Sequence, residues 1–211
     1  MSQRTVEDEA LLDAARACVL AVGVRRTTMT DVARRAGVSR MTLYRRHPDV
    51  ASLIGSLMTR EFSAIIGRVD ARVAALPTAR ARLVASAVQG AGELTRDPLF
   101  LRIVDVDPEL LLPYVTTRLG AFQQAVVAAF ERRVAEGIAD GSIAAADVAL
   151  VARTIELALR GFVLQTLAEG AQAAREPLLA ELERLLDGYL APPPAQAAPE
   201  PVRATTATVP A

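Results

Sequence analysis

The sequence predicts an all-α protein of two domains, and three observations carry that prediction. Apolar residues recur at steps of three and four along most of the 211 residues, which places them on one face of a helix. The alternation of apolar and polar residues expected in a half-buried strand is not sustained anywhere in the sequence. Glycine and proline interrupt the helical pattern at intervals and divide the chain into roughly nine helices.

The first domain, residues 1–50, begins with a helix from about Val6 that ends before Gly23. Two short helices follow up to Pro48, which gives a domain of three helices. A long helix then begins, with its apolar residues on one face. That face is formed by Val50, Leu53, Ile54, Leu57, Met58, Phe62, Ile65, Ile66, Val69 and Val73.

The second domain, residues 51–190, is helical and is divided by further proline and glycine residues. These breaks lie at Pro77, Pro98, Pro108 and Gly141. The acidic segment before Pro108 is explained by a helix start with Asp107 as its cap, without a metal site. From residue 191 to residue 211 proline and alanine dominate, and we expect a disordered tail.

The composition excludes several classes of site and points to an anionic partner. The 24 basic residues balance 24 acidic ones, but residues 1–60 hold ten arginines against six carboxylates. A single cysteine and a single histidine rule out an intramolecular disulfide and a Cys/His zinc site. The sequence has no nucleophile-base pair and no Gly-rich phosphate loop, so we expect no enzyme activity, cofactor or metal. It also lacks a signal peptide and an uninterrupted membrane span, which favours a cytoplasmic location.

The segment TTMTDVARRAGVSRMTLYRRHP, residues 27–48, has the signals of a helix, a tight turn and a second helix. Thr28 can cap the first helix, whose Asp31 suits the positive end of the helix dipole. Gly37 permits a left-handed turn, and Ser39 can cap the second helix. The segment therefore predicts a helix-turn-helix.

The second helix of this motif has an outward face that suits DNA. Successive helix residues turn by about 100°, so that with Leu43 facing inward the residues around it project away from the fold. Arginine can bond both acceptors of a guanine edge, and hydroxyl groups suit phosphate oxygens. The face predicts a recognition helix that contacts DNA through Arg40, Met41, Thr42, Tyr44, Arg45 and Arg46.

With Gly23 before it and a long helix from Asp49 after it, this motif resembles the DNA-binding domain of the tetracycline-repressor (TetR) family of bacterial transcription regulators. The resemblance covers about residues 6–60, and AGVS, TLY and the proline after the second helix are its most diagnostic parts. It implies a homodimer that binds a palindromic operator in double-stranded DNA, most often as a repressor, and a helical C-terminal domain that binds a small-molecule inducer. It also places Thr28 and Thr30 among the DNA-contacting positions.

Two residues depart from the pattern of that family. His47 stands where an aromatic residue is usual, and Val50 stands where a lysine often contacts phosphate, so we expect no phosphate contact at Val50. Arg34 and Arg35, on the first helix of the motif, are interpreted as solvated. His47 is either a partly buried cap or a pH switch, and Cys18 is either core packing or a redox sensor.

Two apolar stripes near the end of the second domain suit a four-helix dimer interface of the kind that the resemblance implies, although such stripes also form intramolecular cores. The stripes comprise Val148, Val151, Ile155, Leu159, Phe162 and Val163, followed by Leu178, Leu179, Leu182, Leu185, Leu186 and Tyr189.

An inducer cavity, which the resemblance implies, should lie among the middle helices. Few charges interrupt the apolar residues of this region, so we expect a small apolar or aromatic ligand. The candidate lining residues are Phe100, Ile103, Leu111, Tyr114, Phe122, Phe162 and Gln165.

Two other functions remain open on the sequence alone. The first is a DNA-binding regulator or architectural factor without a small-molecule inducer, and a stabilising small molecule would argue against it. The second is a helical enzyme or carrier whose basic end only resembles the motif, and salt-sensitive DNA binding would argue against it.

Overall fold

Within residues 3–110, 120–166 and 175–193, which the computed structural model describes, the chain forms nine α-helices, a 3₁₀ turn at Pro108–Leu110 and no strand. This confirms the all-α prediction. The predicted tail lies outside the described residues from residue 194 onward. The helices are α1 (Gln3–Val22), α2 (Met29–Ala36), α3 (Arg40–Arg46), α4 (Val50–Val73), α5 (Ala79–Leu94), α6 (Pro98–Val106), α7 (Ala121–Ala139), α8 (Val148–Thr166) and α9 (Arg175–Leu190).

Local hydrogen bonds define the helix-turn-helix formed by α2 and α3. Thr28 Oγ1 accepts the backbone N–H of Asp31 at 3.1 Å, and Ser39 Oγ accepts that of Thr42 at 3.1 Å. Between the two helices Gly37 has φ 69°, and its N–H bonds to carbonyls in the last turn of α2. Each side-chain cap pairs an amide that the helix leaves unpaired and contributes about 1 kcal/mol. The predicted caps and turn are confirmed.

Helices α1 to α4 enclose an N-terminal core to which α6 also contributes. The deepest residues of the first four helices have no exposed surface, and Leu99 and Ile103 of α6 pack into the same core. The predicted boundary after residue 50 falls in the first turn of α4, so α4 and α6 both continue this core beyond it. The fully buried residues are Leu11, Ala15, Val19, Val32, Leu43, Leu53 and Leu57.

A second core lies between α5, α7, α8 and α9. Many residues of the two apolar stripes that were candidates for a dimer interface are buried in this core, because they face the other helices of their own chain. That part of the expectation is therefore corrected. The stripe residues buried in this core are Val151, Ile155, Leu179, Leu182 and Leu186.

The C-terminal end of α6 is joined to the loop between α1 and α2. Asp107 is 1% exposed, and its Oδ2 accepts the backbone N–H of Val24 at 2.6 Å. Arg25 lies 3.9 Å from the other oxygen of Asp107 and 2.6 Å from Glu109. The predicted helix start at Pro108 is present as the 3₁₀ turn, but the predicted cap is wrong, because the Asp107 carboxylate reaches back to the loop.

Helix α4 is, among the described residues, the one helix long and apolar enough by composition to cross a membrane. Its middle is instead tied to α1 by charge. Arg60 pairs with Glu9 at 3.0 Å and with Asp13 at 2.9 Å, and Glu61 pairs with Arg16 at 3.2 Å. Since its apolar face also packs into the N-terminal core, we interpret α4 as a core helix.

Gly23 precedes the loop that Asp107 holds, and we expect Gly23→Ala to destabilise the fold. Gly23 has φ 83°, and an added Cβ would lie 2.7 Å from Val106 Cγ1 and 2.9 Å from Asp107 Oδ2. The left-handed backbone costs an L residue about 1 kcal/mol, and overpacking adds about 1–3 kcal/mol. Urea denaturation at fixed protein concentration measures the loss in the free energy of unfolding.

Gly141→Ala is the matched control, because Gly141 has φ 75° and no atom within 4 Å of an added Cβ. It should lose only the backbone cost of about 1 kcal/mol. Equal losses in the two variants would show that α6 does not pack against Gly23.

Candidate nucleic-acid interface and ligand cavity

Helix α3 presents four of the predicted contact residues together on its outer face. Met41 is 79% exposed and Tyr44 is 48% exposed, and Arg40 and Arg45 are exposed beside them. Leu43 on the opposite side has no exposed surface and fixes the helix to the N-terminal core. This face therefore offers two arginines, a phenol and a thioether on a rigid support.

The three predicted threonines lie at the starts of α2 and α3. The Thr28 hydroxyl is used within the motif, because it donates to Asp31 Oδ2 at 2.6 Å while it caps α2. Thr30 is exposed in the first turn of α2. Thr42 is half-buried, with its hydroxyl 2.9 Å from that of Ser39. Thr28 and Thr30 thus flank an exposed helix N-terminus, whose amides suit phosphate.

Arg46 points away from the other predicted contact residues. Its side chain is 13% exposed and forms ion pairs with Glu7, at 2.5 Å, and with Asp8 of α1. Arg45, one residue earlier, faces solvent because the helix turns by about 100° between them. The structure therefore gives Arg46 a role in holding α3 against α1.

His47 and Val50, which depart from the family pattern, are buried or half-buried, and so is Cys18, whose role the sequence left open. His47 is 9% exposed, and burial lowers the pKa of its imidazole, while the charge of Asp8 opposes this shift. Cys18 is buried in the N-terminal core, and burial raises the pKa of its thiol. Val50 is half-buried against the same core, and Arg34 pairs with Asp31 at 2.7 Å on the surface.

A cavity of about 1320 Å³ extends along α4 and is also lined by α1, the loop between α1 and α2, and α5 to α8. Three phenylalanines meet on its wall: the ring centroid of Phe62 lies 6.0 Å from that of Phe100 and 4.6 Å from that of Phe122. We call these three rings the aromatic cluster. Among the described residues, Ile103 is the other predicted residue that reaches the cavity, and it also packs into the N-terminal core.

The structure does not bring all the predicted ligand residues to this cavity. Leu159 and Val163 of α8 line it, and Phe162 and Gln165 point elsewhere because the helix turns by about 100° per residue. Phe162 packs on the second core, and Gln165 is exposed. The predicted Leu111 and Tyr114 lie outside the described residues.

Sequence reasoning missed the charges on the cavity wall. The sequence indicated an apolar lining, but the ionisable residues that line the cavity are Glu9, Arg25, Arg60, Asp70, Glu109, Arg133, Glu156 and Arg160. The spacing of Glu156 and Arg160, four residues apart on one helix, was a visible signal of an ion pair. The pair of Arg133 and Asp70 joins α7 to α4 at 2.7 Å and had no such local signal.

A row of apolar side chains remains exposed on α8 and α9. Leu150 is 64% exposed and Leu157 is 50% exposed on α8, at a spacing of seven residues. Leu185 and Tyr189 on α9 are 50% and 47% exposed, at a spacing of four. We call these four residues the exposed stripe. Large apolar side chains at helical spacing on a surface are typical of a helix-helix interface.

The comparisons with known proteins agree with this geometry. The profile of the bacterial regulatory proteins of the tetR family matches residues 11–56, the segment that contains the helix-turn-helix. An HTH-type transcriptional regulator of Mycobacterium bovis, itself uncharacterised, is 32% identical over 180 residues, which cover 85% of this chain and 92% of that protein. The chain belongs to the tetR family of bacterial regulatory proteins. As a member of this family it is a helix-turn-helix transcriptional regulator.

Solved structures of TetR-family regulators have the same fold. One from Pectobacterium atrosepticum superimposes with a TM-score of 0.71 at 23% identity, covering 90% of this chain and 98% of that one. FadR from Bacillus subtilis, solved in complex with stearoyl-CoA, superimposes with a TM-score of 0.67 at 19% identity, covering 86% and 98%. At these identities the likeness concerns the fold.

The two neighbouring arginines at the end of α3 give a test of the TetR-type interface. Arg45→Ala should reduce discrimination between a selected duplex and a scrambled one by about tenfold or more, because it removes a group that can read a base edge. Arg46→Ala should weaken binding to both duplexes by a similar factor, because α3 loses its ties to Glu7 and Asp8. Fluorescence anisotropy over a series of salt concentrations measures both effects.

The salt series also separates positioning from phosphate contact. Each phosphate contact steepens the dependence of log affinity on log salt by about 0.9. Arg46→Ala should leave this slope unchanged, and a shallower slope would show that Arg46 contacts phosphate after all.

Proposed function

We propose that this TetR-family regulator is a ligand-responsive repressor in the cytoplasm that binds a palindromic operator as a homodimer. The observation that carries the proposal is the outer face of α3, with Arg40, Met41, Tyr44 and Arg45 exposed together on a helix whose cap and buried Leu43 fix its orientation.

In the proposed complex α3 enters the major groove. Arg40 and Arg45 bond base edges, and one bidentate contact to guanine is worth about 1–3 kcal/mol of discrimination. Tyr44 contacts phosphate or packs beside it, and Thr28 and Thr30 place the N-terminus of α2 against the backbone. Arg46 is left out of this set because its guanidinium is paired with α1.

Selection of duplexes from a random pool tests this function. We expect enrichment of an inverted repeat with half-sites about one helical turn, roughly 34–36 Å, apart. A pool that stays random, or bound duplexes without a repeat, would contradict the proposal. Arg45→Ala in a parallel selection should relax the base preference within each half-site.

The homodimer is proposed to form through the exposed stripe. Leu150 and Leu157 of α8, with Leu185 and Tyr189 of α9, would meet the same residues of a second copy in a four-helix arrangement. A twofold interface of this kind buries one patch against itself. It also fixes the distance between the two α3 helices, which a palindromic operator requires.

Charge placed in the exposed stripe should break the dimer. The double variant Leu157→Glu, Leu185→Glu should sediment as a monomer and bind the selected duplex at least about tenfold more weakly, because repulsion and buried carboxylates oppose association. Met41→Glu is the control for sedimentation, since Met41 is also apolar and exposed but lies on α3. It should stay dimeric, and a dimeric double variant would rule out this interface.

The ligand response is proposed to pass from the cavity to α3 through α6. Phe100 of α6 belongs to the aromatic cluster, whereas Leu99 and Ile103 pack into the N-terminal core. Asp107 then ties the end of α6 to Val24. A ligand that displaces Phe100 would thus shift the domain that carries α3, and FadR with its stearoyl-CoA supports a ligand in this fold.

Amide hydrogen exchange tests this route without a ligand. Binding of the selected duplex should slow exchange in α6 of the wild type, because coupling between two sites is reciprocal. In Asp107→Ala this slowing should be lost, since the hydrogen bond to Val24 is removed. Asp105→Ala is the control, because Asp105 is exposed on the same helix and should respond like the wild type. Equal slowing in all three proteins would contradict the route.

A further inference from the structure

Eight ionisable residues line the cavity, and four of them form ion pairs beside α1 and the loop that follows it: Arg60 with Glu9, and Arg25 with Glu109. The other four, on α4, α7 and α8, we call the polar wall: Asp70, Arg133, Glu156 and Arg160. Arg133 donates to Asp70 at 2.7 Å, and Arg160 donates to Glu156 at 3.0 Å. The side chains of both arginines are 16% exposed and that of Glu156 is 5% exposed. Three of these four groups are therefore largely withdrawn from water.

Stability alone is a weak reason for charges in this position. Burial removes the hydration of each ion, and apolar residues of similar size often stabilise a fold as well or better. Beside the polar wall the lining holds the aromatic cluster and the aliphatic residues Ile65, Val69 and Val163. A few polar groups in an apolar cavity are typical of a site that orients a ligand.

The charges and donors of the polar wall favour an anion over a cation. Arg153 also donates to Glu156, at 2.5 Å, so that Glu156 Oε2 accepts from two guanidinium groups. The polar wall and Arg153 together have three guanidinium groups against two carboxylates. A guanidinium carries five N–H donors. Among the described residues, one N–H of Arg133 donates a hydrogen bond, to Asp70. Arg133 therefore has donors to offer, whereas Oδ1 of Asp70 and Oε2 of Glu156 already accept from arginines.

We propose that the ligand is an amphipathic acid, an apolar molecule that ends in a carboxylate. Arg133 binds the carboxylate, because guanidinium and carboxylate match in a charge-assisted and often bidentate pair. The aromatic cluster holds the apolar part. This inference rests on the proposed ligand response and names its ligand class, which adds a carboxylate to the small apolar or aromatic ligand that the sequence indicated.

Four probes with the same twelve-carbon chain test the ligand class on the full chain. Isothermal titration calorimetry compares dodecanoic acid, dodecan-1-ol, dodecylamine and the coenzyme A thioester of dodecanoic acid. The acid should bind at least about tenfold more tightly than the alcohol and the amine, because only the acid forms a charge-assisted pair with Arg133. Equal binding of acid and alcohol, a preference for the amine, or binding of the thioester without the acid would overturn the proposal.

Variants of opposite expected effect separate ligand binding from a merely structural ion pair. Arg133→Gln should bring the acid to within about twofold of the alcohol, because the cationic partner is gone. Asp70→Asn should keep or increase the preference for the acid, because Arg133 loses a competing carboxylate. Arg132→Gln, an exposed neighbour on α7, should behave like the wild type. A similar loss of all probes in Arg133→Gln and Asp70→Asn would show that the pair only joins α4 to α7.

The double variant Asp70→Asn, Arg133→Gln removes both charges, so that no carboxylate is left unpaired if Arg133→Gln folds poorly. It should bind acid and alcohol alike, and a retained preference for the acid would overturn the assignment of Arg133. Binding of the selected duplex is measured on the same preparations. If the protein binds DNA selectively but does not prefer the acid, this inference alone is overturned. If it prefers the acid but does not bind DNA selectively, the proposed function alone is overturned.

Discussion

The hydrogen bond from the Val24 amide to Asp107 connects the loop that leads into α2 to the end of α6, the helix that carries Phe100 of the aromatic cluster. A carboxylate that is 1% exposed requires a partner, because its charge would otherwise be buried without compensation. The contact also requires Gly23, since a Cβ there would collide with Val106 and Asp107. Helix α6, which packs Leu99 and Ile103 into the N-terminal core and Phe100 into the aromatic cluster, therefore cannot shift independently of the loop between α1 and α2.

Arginines that are close in sequence have different surroundings in this fold. Arg45 faces solvent on the outer side of α3, and Arg46 is bonded to two carboxylates of α1. Arg60 likewise ties α4 to α1, and Arg133 ties α7 to α4 at the cavity. The basic excess at the N-terminal end thus contains both surface and structural groups, which differ in whether a carboxylate of a neighbouring helix is within reach.

Sequence reasoning predicted the features that local chemistry determines. The caps at Thr28 and Ser39 and the turn at Gly37 depend on residues within three or four positions, so the sequence displays them directly. Asp107 and Val24 are 83 positions apart, and Arg133 and Asp70 are 63 positions apart. Such pairs exist only after the helices pack, and no spacing rule indicates them. For the same reason the helical period identified the apolar residues of α8 and left open whether they face the cavity, the core or the surface.

Occupation of the cavity should change the affinity of α3 for DNA. The direct measurement is the dissociation constant of the wild type for its selected duplex, titrated with dodecanoic acid. Since allosteric coupling is typically worth about 1–3 kcal/mol, saturating acid should raise this constant about fivefold or more. A dissociation constant that stays unchanged while calorimetry shows the cavity to be filled would contradict the account.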